Sequence, residues 1–318
     1  NNRKAINYRT VGVGLLLQIG LAVFILKTET GQVTFQWLGD SINTLLGQAD
    51  KGAAFVFGSL VDRNLMSKAF GPGNEYIFFF KVVPTIIFVA VLVNMFYHLG
   101  VLQRVVSTMG KGVHWLMGVS GAEALSNVAS TFVGQVEAQI MIKPYLKNMT
   151  NSELMASMTG SFACIAGGVM AVYISLGVPA AYLLAASLMA APGALVISKI
   201  MFPETEKSET QGMVKMEITK THANLVDAIA AGASEGLKVG LNVIAMLIGF
   251  IALIALVDLG LGQIGSLINR PDLSMNLILG KVFSVFAFAM GVPSQDVEVA
   301  GALMGKKMVV NEFVAYLD

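Results

Sequence analysis

The longest stretch without a charged side chain, Leu154 to Ser198, most constrains what this chain can fold into. A helix needs about 20 predominantly apolar residues to span the ~30 Å hydrocarbon core of a bilayer, so this stretch is long enough for two spans. Gly177-Val178-Pro179 divides it, because glycine and proline both interrupt helices. Over the whole chain 55% of residues are hydrophobic and 13% are charged, about half the charged share of a soluble domain. We therefore predict an all-α, polytopic membrane protein, and a large soluble helical protein is disfavoured.

Three other segments are apolar enough to span a bilayer: Thr10 to Leu26, Ile77 to His98 and Val239 to Val257. Pro84 is expected to kink the second of them. Basic residues at positions 3, 4 and 9 precede the first, which by the positive-inside rule puts its start in the cytoplasm. The N-terminus has neither the layout of a signal peptide nor an initiator methionine, so we expect the chain to begin inside a longer protein. The predicted location is the cell (inner) membrane, crossed several times.

Charge and cysteine content exclude several functions. The net charge of +1 leaves no basic surface to neutralise phosphates, so nucleic acid is not an expected partner. Cys164 is the single cysteine, which excludes an intrachain disulfide and a thiolate metal cluster. The sequence has no phosphate-binding loop and no nucleophile elbow, so we expect neither an organic cofactor nor an enzyme.

Two segments have the pattern of helices that lie in the membrane interface instead of crossing the bilayer. In the first, apolar residues at positions 35, 38, 42, 45, 46 and 49 recur at helical spacing among polar ones. The second runs from Val101 to Met117 and carries basic residues along an otherwise apolar helix. Farther along, Pro203 to His222 is charged and polar, and is predicted to be an exposed loop.

Two hydrophobic segments are interrupted by polar residues and by breaks in the helix pattern. Ala124 to Tyr145 holds three polar residues after Gly134, and Leu277 to Tyr316 is broken at Gly291-Val292-Pro293. Irregular backbone and carboxylates occur at membrane depth only where they line an enclosed or watery cavity. A pair of interrupted segments in the two halves of a transporter indicates a substrate site. We therefore predict two re-entrant hairpins, one near Gln135 and one ending near Glu312.

Glu137 and Glu312 are the ionisable groups of these segments that most need an explanation, because a charge at the bilayer centre costs roughly 2.5–3.5 kcal/mol. One reading is structural: Glu137 pairs with Lys143, and Glu312 pairs with position 306 or 307, both lysines. The other is functional. The amide of Gln135 both donates and accepts, as a nucleobase edge requires, and carboxylates accept from sugar hydroxyls.

Three glycines of one charge-free span, Gly160, Gly167 and Gly168, also allow two interpretations. They are consistent with close packing of helices through small residues. They are equally consistent with local unwinding that would expose backbone carbonyls to an ion. In the second case Ser130, Ser161 and Cys164 are candidate side chains of the ion site.

At these residues the chain resembles the concentrative nucleoside transporters, from Asn1 to Asp318. Residues 134–138, Gly-Gln-Val-Glu-Ala, are similar to the family motif Gly-Gln-Thr-Glu-Ala. Residues 311–316, Asn-Glu-Phe-Val-Ala-Tyr, match another family motif. Further similar stretches are Ile165-Ala166-Gly167-Gly168-Val169, Ala190-Ala191-Pro192-Gly193 and Gly232-Ala233-Ser234-Glu235-Gly236-Leu237.

The resemblance implies eight transmembrane helices, two re-entrant hairpins in an inverted repeat and several interfacial helices, assembled as a homotrimer. A transport domain would move against a scaffold in the manner of an elevator. The resemblance divides this chain into five parts. They are the scaffold and interfacial helices (1–118), the first hairpin and the helices that follow it (119–201), an exposed loop (202–222), a scaffold helix (223–272) and the second hairpin (273–318). Family members begin with one more helix and continue past Asp318 with two more, which carry further ribose contacts.

The resemblance also implies roles for single residues. Gln135, Val136 and Val169 would face the nucleobase, and Glu137 and Glu312 would serve the ribose. The list of candidate sodium ligands comprises Ser130, Val133, Cys164 and Ile165, the second and fourth through backbone carbonyls.

Three departures from the family pattern bear on these roles. Val136 stands where threonine is usual, Ser130 where sodium-coupled members have asparagine, and Cys164 where they have serine. Sodium is a hard cation that prefers oxygen ligands, so sodium coupling is expected to be weakened or lost. Proton coupling is the open alternative.

The function predicted from the sequence is cation-coupled symport of nucleosides such as uridine into the cell. A membrane-embedded enzyme would need a nucleophile or metal beside the carboxylates, which are far apart in sequence. A passive channel would need a continuous polar lining, for which the spans are too apolar. Both rivals remain as alternatives at this point.

Overall fold

The computed structural model describes residues 3–71, 76–212 and 222–317, except for the side chains of positions 136 and 317, and this part of the chain contains helices and no strand. The α-helices are α1 (Tyr8–Lys27), α2 (Glu29–Leu46), α3 (Ala49–Phe57), α4 (Arg63–Phe70), α5 (Phe78–His98), α6 (Val101–Met117), α7 (Gly121–Phe132), α8 (Gln135–Ile142), α9 (Asn151–Ala163), α10 (Gly167–Ser175), α11 (Ala180–Met201), α12 (Leu225–Leu267), α13 (Met275–Ala289), α14 (Val297–Val309) and α15 (Glu312–Leu317). Short 3-10 helices cover Arg3–Ala5, Gly58–Val61 and Lys143–Asn148. The chain forms two compact units, Asn1–Leu237 and Lys238–Asp318.

Five helical segments of the described chain are long and apolar enough to cross a membrane: Tyr8–Lys27, Phe78–His98, Asn151–Ser175, Ala180–Met201 and Leu225–Leu267. They include all the spans predicted from the sequence. The charge-free stretch is divided at Gly177, whose φ of +105° is a left-handed conformation that glycine adopts without strain. Pro84 lies inside α5, as expected.

The apolar segment predicted at Val239 to Val257 is part of a much longer helix. α12 has 43 residues, whereas the sequence indicated only Val239 to Val257. The charged residues Asp227, Glu235 and Lys238 lower the hydropathy of its first part, but no proline breaks the helix there. Hydropathy therefore marked the apolar part of the helix and missed its extent.

The first interfacial prediction also needs correction, whereas the second, Val101 to Met117, coincides with α6. The first of these segments is not one helix: α2 ends at Leu46, and α3 begins at Ala49. Its buried face is made by Gly31, Phe35 and Gly39, and Leu45 is exposed. Glycine lets this face pack closely against α11, since an added Cβ at Gly39 would lie only 3.2 Å from the Ala181 backbone nitrogen.

Each interrupted segment is a helical hairpin. α7 and α8 are joined through Gly134, whose φ is +116°, and α13 and α14 are joined through a turn that contains Gly291, whose φ is +87°. The first hairpin begins at Gly121, three residues before the predicted start. The second ends at Val309, three residues before Glu312 and so close to its predicted end. Val310 has a non-helical backbone, and a new helix, α15, follows.

The first hairpin is packed into the core of the first unit. All residues of α7 from Gly121 to Thr131 are buried. An apolar cluster joins α6, α7 and α8 and contains Val106, Leu125 and Ile142 among its buried members. Burial on all sides of a 12-residue helix means that its polar side chains must find partners inside the protein.

Candidate functional site

The tip of the first hairpin contacts a break between α9 and α10. The break covers residues 164–166, where the backbone leaves the helix and re-enters it. A Cβ added to Gly134 would lie 3.2 Å from the Ala166 side chain, and one added to Gly167 would lie 2.6 Å from the Phe132 carbonyl oxygen. The carboxyl ends of α7 and α9 and the amino ends of α8 and α10 therefore meet at one place. Helix ends leave carbonyls or N–H groups without intrahelical partners, so this place can hold polar solutes or ions.

The predicted substrate residues of this unit line the tip. Gln135 and Glu137 lie in the first turn of α8, and both are exposed. The Glu137 carboxylate turns back towards the tip, since a Cβ on Gly134 would lie 2.8 Å from its Oε2 atom. Val169 is half-buried in the first turn of α10. The Val136 side chain lies outside the described part of the structure.

The structural reading of Glu137 is not supported. Among the ion pairs of the described residues, none joins Glu137 to Lys143. An exposed carboxylate at the tip of a hairpin remains accessible to a ligand. The functional reading therefore stays as the prediction for this residue.

The four predicted ion ligands all lie where the tip meets the break. Ser130 is buried in α7, and its hydroxyl donates to the Ser126 carbonyl at 2.9 Å and lies 3.5 Å from the Ser161 hydroxyl. The Cys164 sulfur lies 3.3 Å from the Thr131 hydroxyl. Val133 is the C-cap that follows α7, and Ile165 lies within the break. No group of three or more His, Cys, Asp or Glu side chains in the described chain could hold a metal ion.

Close packing is confirmed at two of the three glycines, and a helix break lies next to one of them, whereas the exposure of carbonyls to an ion stays a prediction. Gly160 packs closely, because a Cβ there would lie 2.1 Å from the Asn127 side-chain oxygen. Gly167 packs against Phe132 as described, whereas Gly168 faces open space. The predicted unwinding occurs just before Gly167, at residues 164–166.

Glu312 belongs to the second unit. It is the first residue of α15, directly after Asn311. The Asn311 side-chain oxygen accepts a hydrogen bond from the Val314 backbone N–H at 2.9 Å, which is the geometry of a helix N-cap. The Asn-Glu-Phe-Val pattern therefore starts a helix, and the carboxylate sits in its first turn.

Sequence reasoning missed a buried polar cluster at the base of the first hairpin, here called the hairpin-base cluster. Its members are Ser120, Glu123, Thr150, Ser152, Glu153, Lys199, Glu204, Ser208 and Thr210. Lys199 Nζ lies 2.7 Å from the Glu123 carboxylate, and both side chains are almost fully buried. The signal was present as two Ser/Thr-x-x-Glu patterns, both of which form capping boxes.

The described part of the predicted exposed loop, Pro203 to His222, forms no helix and is mostly exposed, but the same cluster draws some of its side chains inward. Thr210 is buried, and the Ser208 and Thr210 hydroxyls both donate to the Glu153 carboxylate. A buried carboxylate needs donors, and this polar segment supplies them. Residues 213–221 lie outside the described part of the chain.

The chain matches three family models that together cover most of its length. They are described as "Na+ dependent nucleoside transporter N-terminus" over residues 1–60, "Nucleoside recognition" over 79–180 and "Na+ dependent nucleoside transporter C-terminus" over 182–318.

Proteins that match nearly the whole chain are also transporters. An "uncharacterized transporter" of Haemophilus influenzae is 42% identical over 100% of this chain and 75% of its own length. Transporter YutK of Bacillus subtilis is 42% identical over 98% of this chain and 75% of its own. Sodium/nucleoside cotransporter 1 of Mus musculus is 40% identical over 100% of this chain and 47% of its own, so the chain spans about half of that protein.

Solved structures show the same fold. CNTnw in an inward-facing substrate-bound state superposes with a TM-score of 0.93 at 39% identity, over 100% of this chain and 74% of that chain. A doubly substituted CNTnw in an outward-facing state gives a TM-score of 0.94 at 39% identity, with the same coverage. The chain therefore belongs to the Na+-dependent nucleoside transporter family, the concentrative nucleoside transporters, whose members are integral membrane proteins and not enzymes.

Proposed function

We propose that this protein carries nucleosides such as uridine into the cell by secondary active, cation-coupled symport. The observation that carries the proposal is the contact between the hairpin tip at Gly134 and the helix break at Ala166. Paired helix ends of this kind supply oriented N–H and carbonyl groups for a solute and an ion side by side. Gln135 and Glu137 add an amide and a carboxylate at the same tip.

The proposed substrate contacts divide between base and sugar. Gln135, Val136 and Val169 serve the nucleobase, and Glu137 and Glu312 accept from the ribose hydroxyls. A site with polar groups that must be paired rejects ligands that lack the matching hydroxyls, because the unmatched groups then stay buried without partners. Nucleosides are therefore favoured over free nucleobases.

The proposed coupling ion would bind among Ser130, Val133, Cys164 and Ile165. We expect weak sodium binding there, because the Ser130 hydroxyl reaches less far than the asparagine carbonyl of sodium-coupled members and Cys164 offers sulfur beside the Thr131 hydroxyl. A hard cation gains little from sulfur. Coupling to protons is the second candidate, because a site that binds sodium weakly would require another coupling ion.

The proposed mechanism is an elevator. Both helical hairpins would be re-entrant and related by an inverted repeat, and they would move with residues 119–201 and 273–318 as the transport domain. Residues 1–118 and 223–272 would form the scaffold of a homotrimer. CNTnw, which has this fold, has been solved in inward-facing and outward-facing states, which supports alternating access as the proposed mechanism.

The test is uptake of radiolabelled uridine into proteoliposomes, with sodium and proton gradients imposed separately. Uptake against a uridine gradient under either ion gradient supports symport and identifies the ion. Gln135→Leu should lose uptake, whereas Lys207→Gln, an exposed control away from the tip, should keep it. Uptake that neither gradient drives, or that lacks saturation and counter-flow, would establish a passive route and contradict the proposal.

A further inference from the structure

Gln139 has no role in the proposed function, yet its side chain makes three hydrogen bonds. It lies one helical turn beyond Gln135 in α8. Its amide nitrogen donates to the Ser161 hydroxyl at 2.8 Å and to the Ser126 hydroxyl at 3.3 Å. Its amide oxygen accepts from the Ser157 hydroxyl at 2.9 Å. Three of the four hydrogen-bonding positions of the amide are therefore occupied, and they join α8 to both α7 and α9.

The direction of the remaining bond follows from these contacts. Ser157 has one hydroxyl proton, and it is directed to Gln139. The 2.6 Å contact between Ser126 and Ser157 therefore has Ser126 as its donor. Gln139, Ser126 and Ser157 form a closed ring in which each donates to the next. Hydrogen bonds in such chains polarise and strengthen one another in a low-dielectric interior.

The ring extends into the proposed ion site through Ser161. Because Ser161 accepts from Gln139, its own proton points elsewhere, and the Ser130 hydroxyl oxygen lies 3.5 Å away. Ser130 in turn directs its proton to the Ser126 carbonyl. One lone pair of the Ser161 oxygen therefore faces the Gln139 amide, and one lone pair of the Ser130 oxygen faces the Ser161 hydroxyl.

We propose that Gln139 is a positioning residue of the ion site, and that its hydrogen-bonded ring holds the first hairpin against α9 without a sodium ion. In this arrangement the Gln139 amide and the Ser161 hydroxyl supply the positive dipole ends that a bound cation would otherwise supply to the serine oxygens. Uridine binding then needs little or no sodium. The inference rests on the proposed function, since it assumes that Ser130 marks the ion site and that uridine is the substrate.

The experiment measures the uridine Kd of the full-length protein by calorimetry, with sodium and with choline in its place. Gln139→Leu removes the whole ring at similar volume, and Gln139→Glu keeps the shape and acceptors but removes the donors and adds a negative charge. Gln48→Glu makes the same chemical change on an exposed side chain outside the hairpin. Transport is measured in parallel, so that changes in KM and kcat are separated.

For the parent and the Gln48→Glu control, we expect the ratio of Kd without sodium to Kd with sodium to stay near one. For Gln139→Glu and Gln139→Leu the ratio should rise about tenfold, the effect of losing one or two net hydrogen bonds that sodium then replaces. The change should appear in KM more than in kcat. If Gln139→Leu does not fold, Gln139→Glu carries the test by itself.

Two results would overturn the inference. One is a parent protein whose uridine affinity already depends strongly on sodium. The other is a sodium ratio in Gln139→Glu equal to that of the parent. A parent that binds no uridine under any condition would instead refute the proposed function, so the two failures are distinguishable.

Discussion

The hairpin-base cluster makes a quantitative prediction for Lys199→Met. Lys199 Nζ lies 2.7 Å from the Glu123 carboxylate and donates to the Ser152 hydroxyl at 2.9 Å. The side chains of Lys199 and Glu123 are 8% and 2% exposed. Glu204, at 3.9 Å, is a more distant and less buried partner. The substitution would therefore leave Glu123 charged, buried and without its counter-ion.

The expected cost follows from that burial. Removing one member of a buried ion pair typically costs about 3–5 kcal/mol, because the remaining charge is uncompensated. At about 2–4 °C per kcal/mol for a large domain, the midpoint of thermal unfolding should fall by roughly 6–20 °C. The lost hydrogen bond to Ser152 is part of the same effect.

The assay is thermal unfolding of the detergent-purified protein, followed by fluorescence at one scan rate. Lys207→Met is the matched control, since Lys207 is exposed in the neighbouring segment. The double variant Lys199→Met with Glu123→Gln should recover much of the loss, because neither charge then remains. A fall in midpoint below roughly 2 °C for Lys199→Met, or a double variant no more stable than the single one, would refute this reasoning.

Four further predictions concern the substrate, the ion and the packing of the hairpin. Ser130→Asn with Cys164→Ser should strengthen the sodium dependence of uridine binding, and their effects should couple because both act on one ion; an equally strong sodium effect in the parent would contradict this. Glu312→Ala should abolish uridine uptake while the variant elutes at the parent's size, and a failure to assemble would indicate a structural role. UMP should compete with uridine far more weakly than uridine itself, since the proposed sugar side carries carboxylates that repel phosphate; equal competition would be evidence against it. Gly160→Ala should lower thermal stability by about 1–3 kcal/mol, because its Cβ would lie 2.1 Å from the Asn127 side-chain oxygen, and an unchanged midpoint would show that α7 can shift.

The sequence predicted the local breaks of the fold well, because glycines and prolines act where they stand. Gly177 divides the charge-free stretch, and Gly134 and Gly291 mark the two hairpin turns. α6 coincides with its predicted range because its apolar residues recur at helical spacing and so fall on one face of the helix. Each of these features depends on residues close together in the chain.

Predictions were incomplete where long-range contacts decide the structure. The segment containing Ser208 and Thr210 has the composition of a loop, yet both hydroxyls donate to Glu153, more than 50 residues earlier, and Thr210 is buried. Nothing near Lys199 in the chain indicates that Glu123 is its partner. The candidate site divides in the same way: its residue types were identified from motifs, whereas the ring around Gln139 depends on how α7, α8 and α9 pack.

The hairpin-base cluster also bears on the order in which the chain is assembled during synthesis. Glu123 and Glu153 emerge from the ribosome well before Lys199 and Thr210, their later partners. Until those partners arrive, packing α7 against α9 would bury each carboxylate without the groups that compensate its charge, which is unfavourable. The first hairpin is therefore expected to wait in a watery or chaperoned environment until α11 and the segment after it have been made. Its final packing is therefore expected to be a late event, although it lies in the first half of the chain.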